Sequence, residues 1–129
     1  MKVKVSEATN NQLNWMVAKC IYPHGSDEWL NCISAQEHYC TDWSQGGPIF
    51  SGAGIGALFD TGSACRKPSW FATPDDQFIS TSYEGEYFDP AFMVSEDPGQ
   101  YGETELIAKA RCFVASRLGE TVEVPDDLA

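Results

Sequence analysis

The chain has 129 residues, eight of them Lys or Arg against nineteen Asp or Glu, for a formal charge of -11. A length of this order supports one domain with a single core, and 43% hydrophobic residues with a mean hydropathy of -0.30 place the composition among folded globular chains, without an apolar run long enough to span a bilayer. So large an acidic excess opposes nonspecific attraction to nucleic acid and to anionic lipid, and neither direct nucleic-acid binding nor membrane association is expected.

Val3 and Val5 alternate with Lys2 and Lys4. This spacing predicts a short strand with one dry face, followed by a turn at Ser6-Glu7-Ala8. Thr9 and Gln12 stand at capping-box spacing, and Leu13, Met16, Val17 and Cys20 follow at i, i+3, i+4 and i+7, which predicts a first helix ending before Pro23. The opening residues lack the apolar stretch of a signal peptide, so the chain is expected to remain where it is made.

From His24 to about Tyr101 the pattern is irregular. Short strands are expected around Trp29–Ile33, Pro48–Phe50 and Phe78–Tyr83, joined by long loops. Gly102 to Pro125 is the most legible stretch. Thr104 caps a helix whose apolar residues Leu106, Ile107, Ala110, Phe113 or Val114, and Leu118 recur at helical spacing; Gly119 ends it, and Thr121-Val122-Glu123-Val124 alternates as a strand. A helix over 104–118 is about 22 Å long, enough to cross a small sheet. The predicted fold is α+β: a small sheet packed by helices, in one domain over residues 1–129 with a long loop-rich central insertion. Val3/Val5 and Val122/Val124 are expected in that same sheet.

No constellation of residues announces a reaction. Cys20, His24, Cys32, His38 and Cys40 are zinc-ligand types, but their spacings do not form the paired Cys-x2-Cys arrangement of a structural site. Five cysteines at irregular spacing fit reduced thiols better than a disulfide framework. Gly52-Ala53-Gly54-Ile55-Gly56-Ala57 matches a dinucleotide fingerprint in letters alone: Asp60-Thr61-Gly62 would break the helix such a site needs, and a glycine-rich hairpin or loop is the expectation. There is no G-x-S-x-G elbow, and both histidines, His24 and His38, lie in loop-like sequence. Neither a cofactor nor a metal is expected. The acids between Asp75 and Glu105 read as a solvated surface before they read as a mimic of nucleic acid.

Thr41-Asp42-Trp43-Ser44-Gln45-Gly46-Gly47-Pro48-Ile49 places an indole, a side-chain amide and two glycines in one expected turn. Such a loop would offer an apolar plane (Trp43), hydrogen bonds (Gln45) and bare backbone amides (Gly46, Gly47) to a planar polar ligand. The competing reading is that Trp43 fills the core while Gly46-Gly47-Pro48 turns the chain into a strand. Cations for an anionic ligand would come from Arg66 and Lys67 beside Trp70, and from Arg111. Lys109, Arg111 and Arg117 cannot share one helical face, and two of them are expected to be plain solvating charges.

That segment, the stretch Leu106 to Gly119, the opening Met1-Lys2-Val3-Lys4-Val5-Ser6-Glu7, Leu13-Asn14-Trp15-Met16-Val17-Ala18-Lys19 and the ending Val122-Glu123-Val124-Pro125 together resemble the phage NinX-type proteins, whose domain is described as a phage alpha-beta-alpha sandwich. The likeness covers both ends and one central block, roughly half the chain. It implies a phage or prophage origin, the cytoplasm of an infected bacterium, and helices packed on a sheet, but carries no catalytic residue. The resulting expectation is a non-catalytic accessory protein, homo-oligomeric, that sequesters a nucleotide-like host molecule such as an immune signal through Trp43, Gln45, Gly46, Gly47, Arg66, Trp70 and Arg111. Two other functions remain open: an acidic factor that blocks a host enzyme, and a hydrolase of a nucleotide signal.

Overall fold

A computed structural model describes residues 1–60, 68–73, 100–126 and 128. The fold is α+β. Its described elements, in chain order, are β1 (Lys2–Lys4), a 3-10 turn (Val5–Glu7), α1 (Asn10–Ile21), α2 (Asp27–Gln36), α3 (Trp43–Gly52), β2 (Gly56–Asp60), β3 (Ser69–Thr73), β4 (Gln100–Gly102), α4 (Glu105–Leu118) and β5 (Thr121–Glu123).

The two chain ends meet as expected. β1 and β5 pair antiparallel with Val3 opposite Val122, and the Val124 amide donates to the Met1 carbonyl at 2.8 Å. Val5 lies just past the strand and is fully buried, as Val122 and Val124 nearly are, so alternation gives this ribbon its dry face. One expectation needs correction. The strands do not form one sheet: β2, β3 and β4 make a second, separate antiparallel sheet in that order, with Phe59 opposite Trp70 and Phe71 opposite Tyr101.

α1 begins with the reciprocal bonds its sequence promises. Thr9 Oγ1 accepts from the Gln12 amide and Gln12 Oε1 from the Thr9 amide, so two otherwise orphaned donors are satisfied. Thr104 Oγ1 likewise accepts from the Ile107 amide at the start of α4, and Gly119, with φ +88°, ends that helix in a conformation side chains disfavour.

α4 is the centre of the molecule. It packs on β3, β4, α1 and α3, so burial extends beyond one stripe: Leu106, Ile107, Ala108, Ala110, Cys112, Phe113, Val114 and Ala115 are all in the core. Phe113 meets Phe50 of α3 with ring centroids 5.3 Å apart, and Leu13, Met16, Val17 and Leu30 complete the same cluster from α1 and α2.

Two expected strands are helices. Trp29–Ile33 lies within α2, where Ser26 Oγ accepts from the Trp29 amide and Asp27 and Glu28 place negative charge in the first turn, both of which favour a helix start over a strand. Pro48–Phe50 lies within α3. The expected strand at Phe78–Tyr83 and the central insertion fall largely outside the described residues. The glycine-rich run 52–57 joins α3 to β2, a helix-to-strand turn with Gly54 at φ +78°; a dinucleotide fingerprint needs the opposite order, strand then helix.

Candidate functional site

The segment expected to be a glycine-hinged turn is a turn followed by a helix. Residues 38–42 curl so that the Asp42 amide donates to the His38 carbonyl at 2.8 Å, and the Cys40 amide donates to Asn14 Oδ1 at 3.1 Å, which ties the turn to α1 through a buried asparagine. Asp42 then caps α3. Its Oδ1 accepts from the Ser44 amide at 2.9 Å and the Ser44 hydroxyl at 2.7 Å, and these two bonds hold its carboxyl below the ordinary value.

Pro48 sits inside this helix, where it removes one backbone bond. Gly47 immediately before it has no Cβ to collide with the proline ring, which makes the helical geometry accessible there. Burial of Phe50 against α4 supplies the tertiary driving force that local propensity lacks.

Trp43 opens α3 and is 48% exposed, so it does not fill the core. Its ring leans over Gly47, where a Cβ would come within 3.0 Å of Cε3. The Lys109 ammonium stands 5.3 Å from the ring centroid, within cation–π range, and 3.4 Å from Glu105 Oε1 one helical turn away on α4. The other site residues expected in this segment, Gln45, Gly46 and Gly47, are taken up by the turn and the helix. The Gln45 side-chain carbonyl accepts from the His38 amide. The Gln45 and Gly46 amides both donate to the Asp42 carbonyl, at 3.1 and 2.9 Å, so these amides are not bare. Gly46 and Gly47 are buried.

The other expected site residues are scattered. Arg66 and Lys67 lie outside the described residues. Trp70 is half-buried on β3, its ring 5.4 Å from that of Phe59 in an edge-on pair. Arg111 is turned about 200° around α4 from Lys109, and its guanidinium is committed to backbone: Nη1 donates to the Tyr101 carbonyl at 2.8 Å and Nη2 to the Ala8 carbonyl at 3.3 Å. Burial pulls its basicity down, opposed chiefly by Glu103.

The cation beside Trp43 is therefore Lys109 and not Arg111. Neither Lys109 nor Arg111 is a plain solvating charge; of the three basic residues on α4 only Arg117 is exposed, lying 4.0 Å over the Phe113 ring.

None of Cys20, Cys32, Cys40 and Cys112 is joined in a disulfide, and no group of three His, Cys, Asp or Glu among the described residues is placed to hold a metal ion. Burial pushes the Cys20 thiol up to about 12 and the Cys40 thiol up to about 11, while Cys32 is exposed and Cys112 fully buried. In the native protein at pH 8, iodoacetamide should therefore modify Cys32 well ahead of Cys20, Cys40 and Cys112, as peptide mass mapping would show. Because folding raises these two values, it favours the neutral thiols: that stabilisation is complete below the ordinary value near 9 and disappears as pH rises through 11 to 12. Urea melts should show stability falling from pH 9 upward, with a shallower fall in Cys20→Ala.

No helix among the described residues is long and apolar enough to cross a membrane. No protein-family model matches the chain, and no curated protein matches it with significant similarity.

Proposed function

We propose that this chain is a non-catalytic accessory protein of the phage NinX type that captures a planar, anionic, nucleotide-derived molecule on the face of Trp43, in the cytoplasm of an infected bacterium. The observation that carries the reading is the half-exposed indole with an ammonium 5.3 Å from its centroid. A base stacks on the indole, and Lys109 supplies the local positive charge that a protein of net charge -11 otherwise denies to an anion.

The energetics ask for more than one such face. Nanomolar capture requires about -12 kcal/mol before the cost of association is added. A single stack contributes about 1 to 3 kcal/mol, and Glu105 shares the Lys109 charge. Two copies presenting their Trp43 faces to one ligand would double the contact, so the binding unit in this reading is a homo-oligomer.

Thermal melts with a cyclic dinucleotide and with ADP-ribose test it. The unmodified protein should gain several degrees with one of them. Trp43→Ala should melt at nearly the same temperature as the parent without ligand and gain nothing with it, whereas Trp43→Phe should recover part of the gain. Absence of any gain with either probe, or an equal gain in Trp43→Ala, would overturn the reading.

A further inference from the structure

The cation beside Trp43 already has a partner. Lys109 stands over the indole with its side chain only 11% exposed, and its ammonium is paired at 3.4 Å with Glu105, whose side chain is 33% exposed. An anion that seeks this ammonium therefore meets a carboxylate tethered one turn away on the same helix.

Of the two partners, the carboxylate is the one free to leave. Lys109 is enclosed among the core residues of α4 and covered by the Trp43 ring. Glu105 is the more exposed, and it takes no part in capping α4, because Thr104 Oγ1 accepts from the Ile107 amide. Swung into solvent, its charge still lies in the first turn, where the helix dipole favours it. Pairs of this spacing are weak when partly exposed, so the paired and swung-out arrangements lie close in free energy and a ligand can tip the balance. The approach that Glu105 occupies is the one through which solvent, and hence a ligand anion, reaches the ammonium.

Displacement sets a condition on that anion. A phosphodiester brings a single negative charge, no more than the carboxylate it would replace, and lacks the carboxylate's tether. A diphosphate brings adjacent charges and more acceptor oxygens to the same ammonium. Its attraction acts at contact distance, whereas the repulsion from a net charge of -11 is spread over the molecule and screened by salt beyond about 8 Å.

We infer that Glu105 is an internal competitor for the ammonium beside Trp43, and that it selects a base bearing a diphosphate over one bearing a singly charged phosphodiester; this rests on Trp43 being the capture face. Isothermal titration calorimetry of the full chain with ADP-ribose, cyclic di-AMP and adenosine tests it. ADP-ribose should bind about tenfold or more tighter than cyclic di-AMP. Glu105→Gln, which keeps the shape and loses the charge, should tighten cyclic di-AMP about tenfold, narrow the gap between the two anions and leave adenosine unchanged. Glu28→Gln on α2 makes the same change in net charge away from the indole and should alter none of the three. Circular dichroism melts establish that each variant is folded; should Glu105→Gln fail to fold, Glu105→Ala frees the same ammonium. Binding that Trp43→Ala abolishes but Glu105→Gln leaves unchanged, that Glu28→Gln alters equally, or that favours cyclic di-AMP in the parent would overturn the inference and spare the capture face. Binding that Trp43→Ala leaves intact, or no binding by either the parent or Glu105→Gln, would overturn both.

Discussion

Replacing Gly46 by alanine should unfold or severely destabilise the protein, by about 3 kcal/mol or more, although alanine is the better helix former by about 1 kcal/mol. Gly46 lies within α3, so a surface glycine at this position would gain from the change. Here a Cβ would penetrate the Tyr39 carbonyl oxygen and stand 2.9 Å from Phe50 Cε2. The obstructing atom is backbone, fixed by the turn that the Asn14 and His38 bonds hold, and it cannot rotate away.

Two other glycines of the same helix make the controls. At Gly47 the spatial obstruction is the edge of the exposed Trp43 ring, which can swing aside, but the new Cβ also meets the ring of Pro48, so Gly47→Ala should cost less than Gly46→Ala and more than Gly52→Ala. At Gly52 nothing lies within 4 Å, and Gly52→Ala should be neutral or stabilising by a few tenths of a kcal/mol. Urea denaturation of the three variants should order them Gly46→Ala below Gly47→Ala, and Gly47→Ala below Gly52→Ala. A stable Gly46→Ala would mean that the turn and the helix do not meet as described.

The pair Gly46-Gly47 also shows where sequence reading stops. α1, α4, β1 and β5 are legible because their signals are local: a cap within three residues of its amide, apolar residues at helical spacing, alternation in a strand. α3 has the opposite local signals, two glycines and a proline, and forms because Gly46 admits the Tyr39 backbone and Phe50 reaches the core. Those contacts cannot be read from composition. α2 was recoverable: Ser26 followed by Asp27 and Glu28 is a helix start, but Trp29, Leu30, Cys32 and Ile33 read together as a strand-like run. For the candidate site, Trp43 stood out as a residue type in an unusual setting, but whether its ring faced the core or solvent was not legible. Neither was its cation, because which of Lys109 and Arg111 faces α3 depends on how α4 is rotated between its neighbours, a consequence of packing on several sides at once.

Arg111 and Trp43 should separate cleanly when each is altered, and the separation tests what kind of residue each is. Arg111→Met keeps the aliphatic stem and volume but loses both N–H bonds, one to Tyr101 at the end region of the three-stranded sheet and one to Ala8 between the 3-10 turn and α1. Hydrogen bonds from a charged donor contribute about 1.5 to 3 kcal/mol each. Relief of the buried guanidinium's desolvation offsets part of that loss, because burial already disfavours its charge. A net destabilisation of about 2 to 4 kcal/mol follows, or a fall of roughly 10 °C in melting temperature for a chain of this size. Arg111→Lys should be damaged nearly as much, since one ammonium cannot span two carbonyls that the two guanidinium nitrogens reach separately. Trp43→Ala, by contrast, removes a half-exposed ring whose close neighbours are Lys109 and Gly47, and should melt within about 3 °C of the parent. If Arg111→Met keeps the parent's stability and only ligand-induced gains in melting temperature are lost, the guanidinium belongs to a binding surface. If it melts early with or without ligand, Arg111 is the strut that fastens the sheet and the first helix to the central one, and anion capture at Trp43 rests on Lys109.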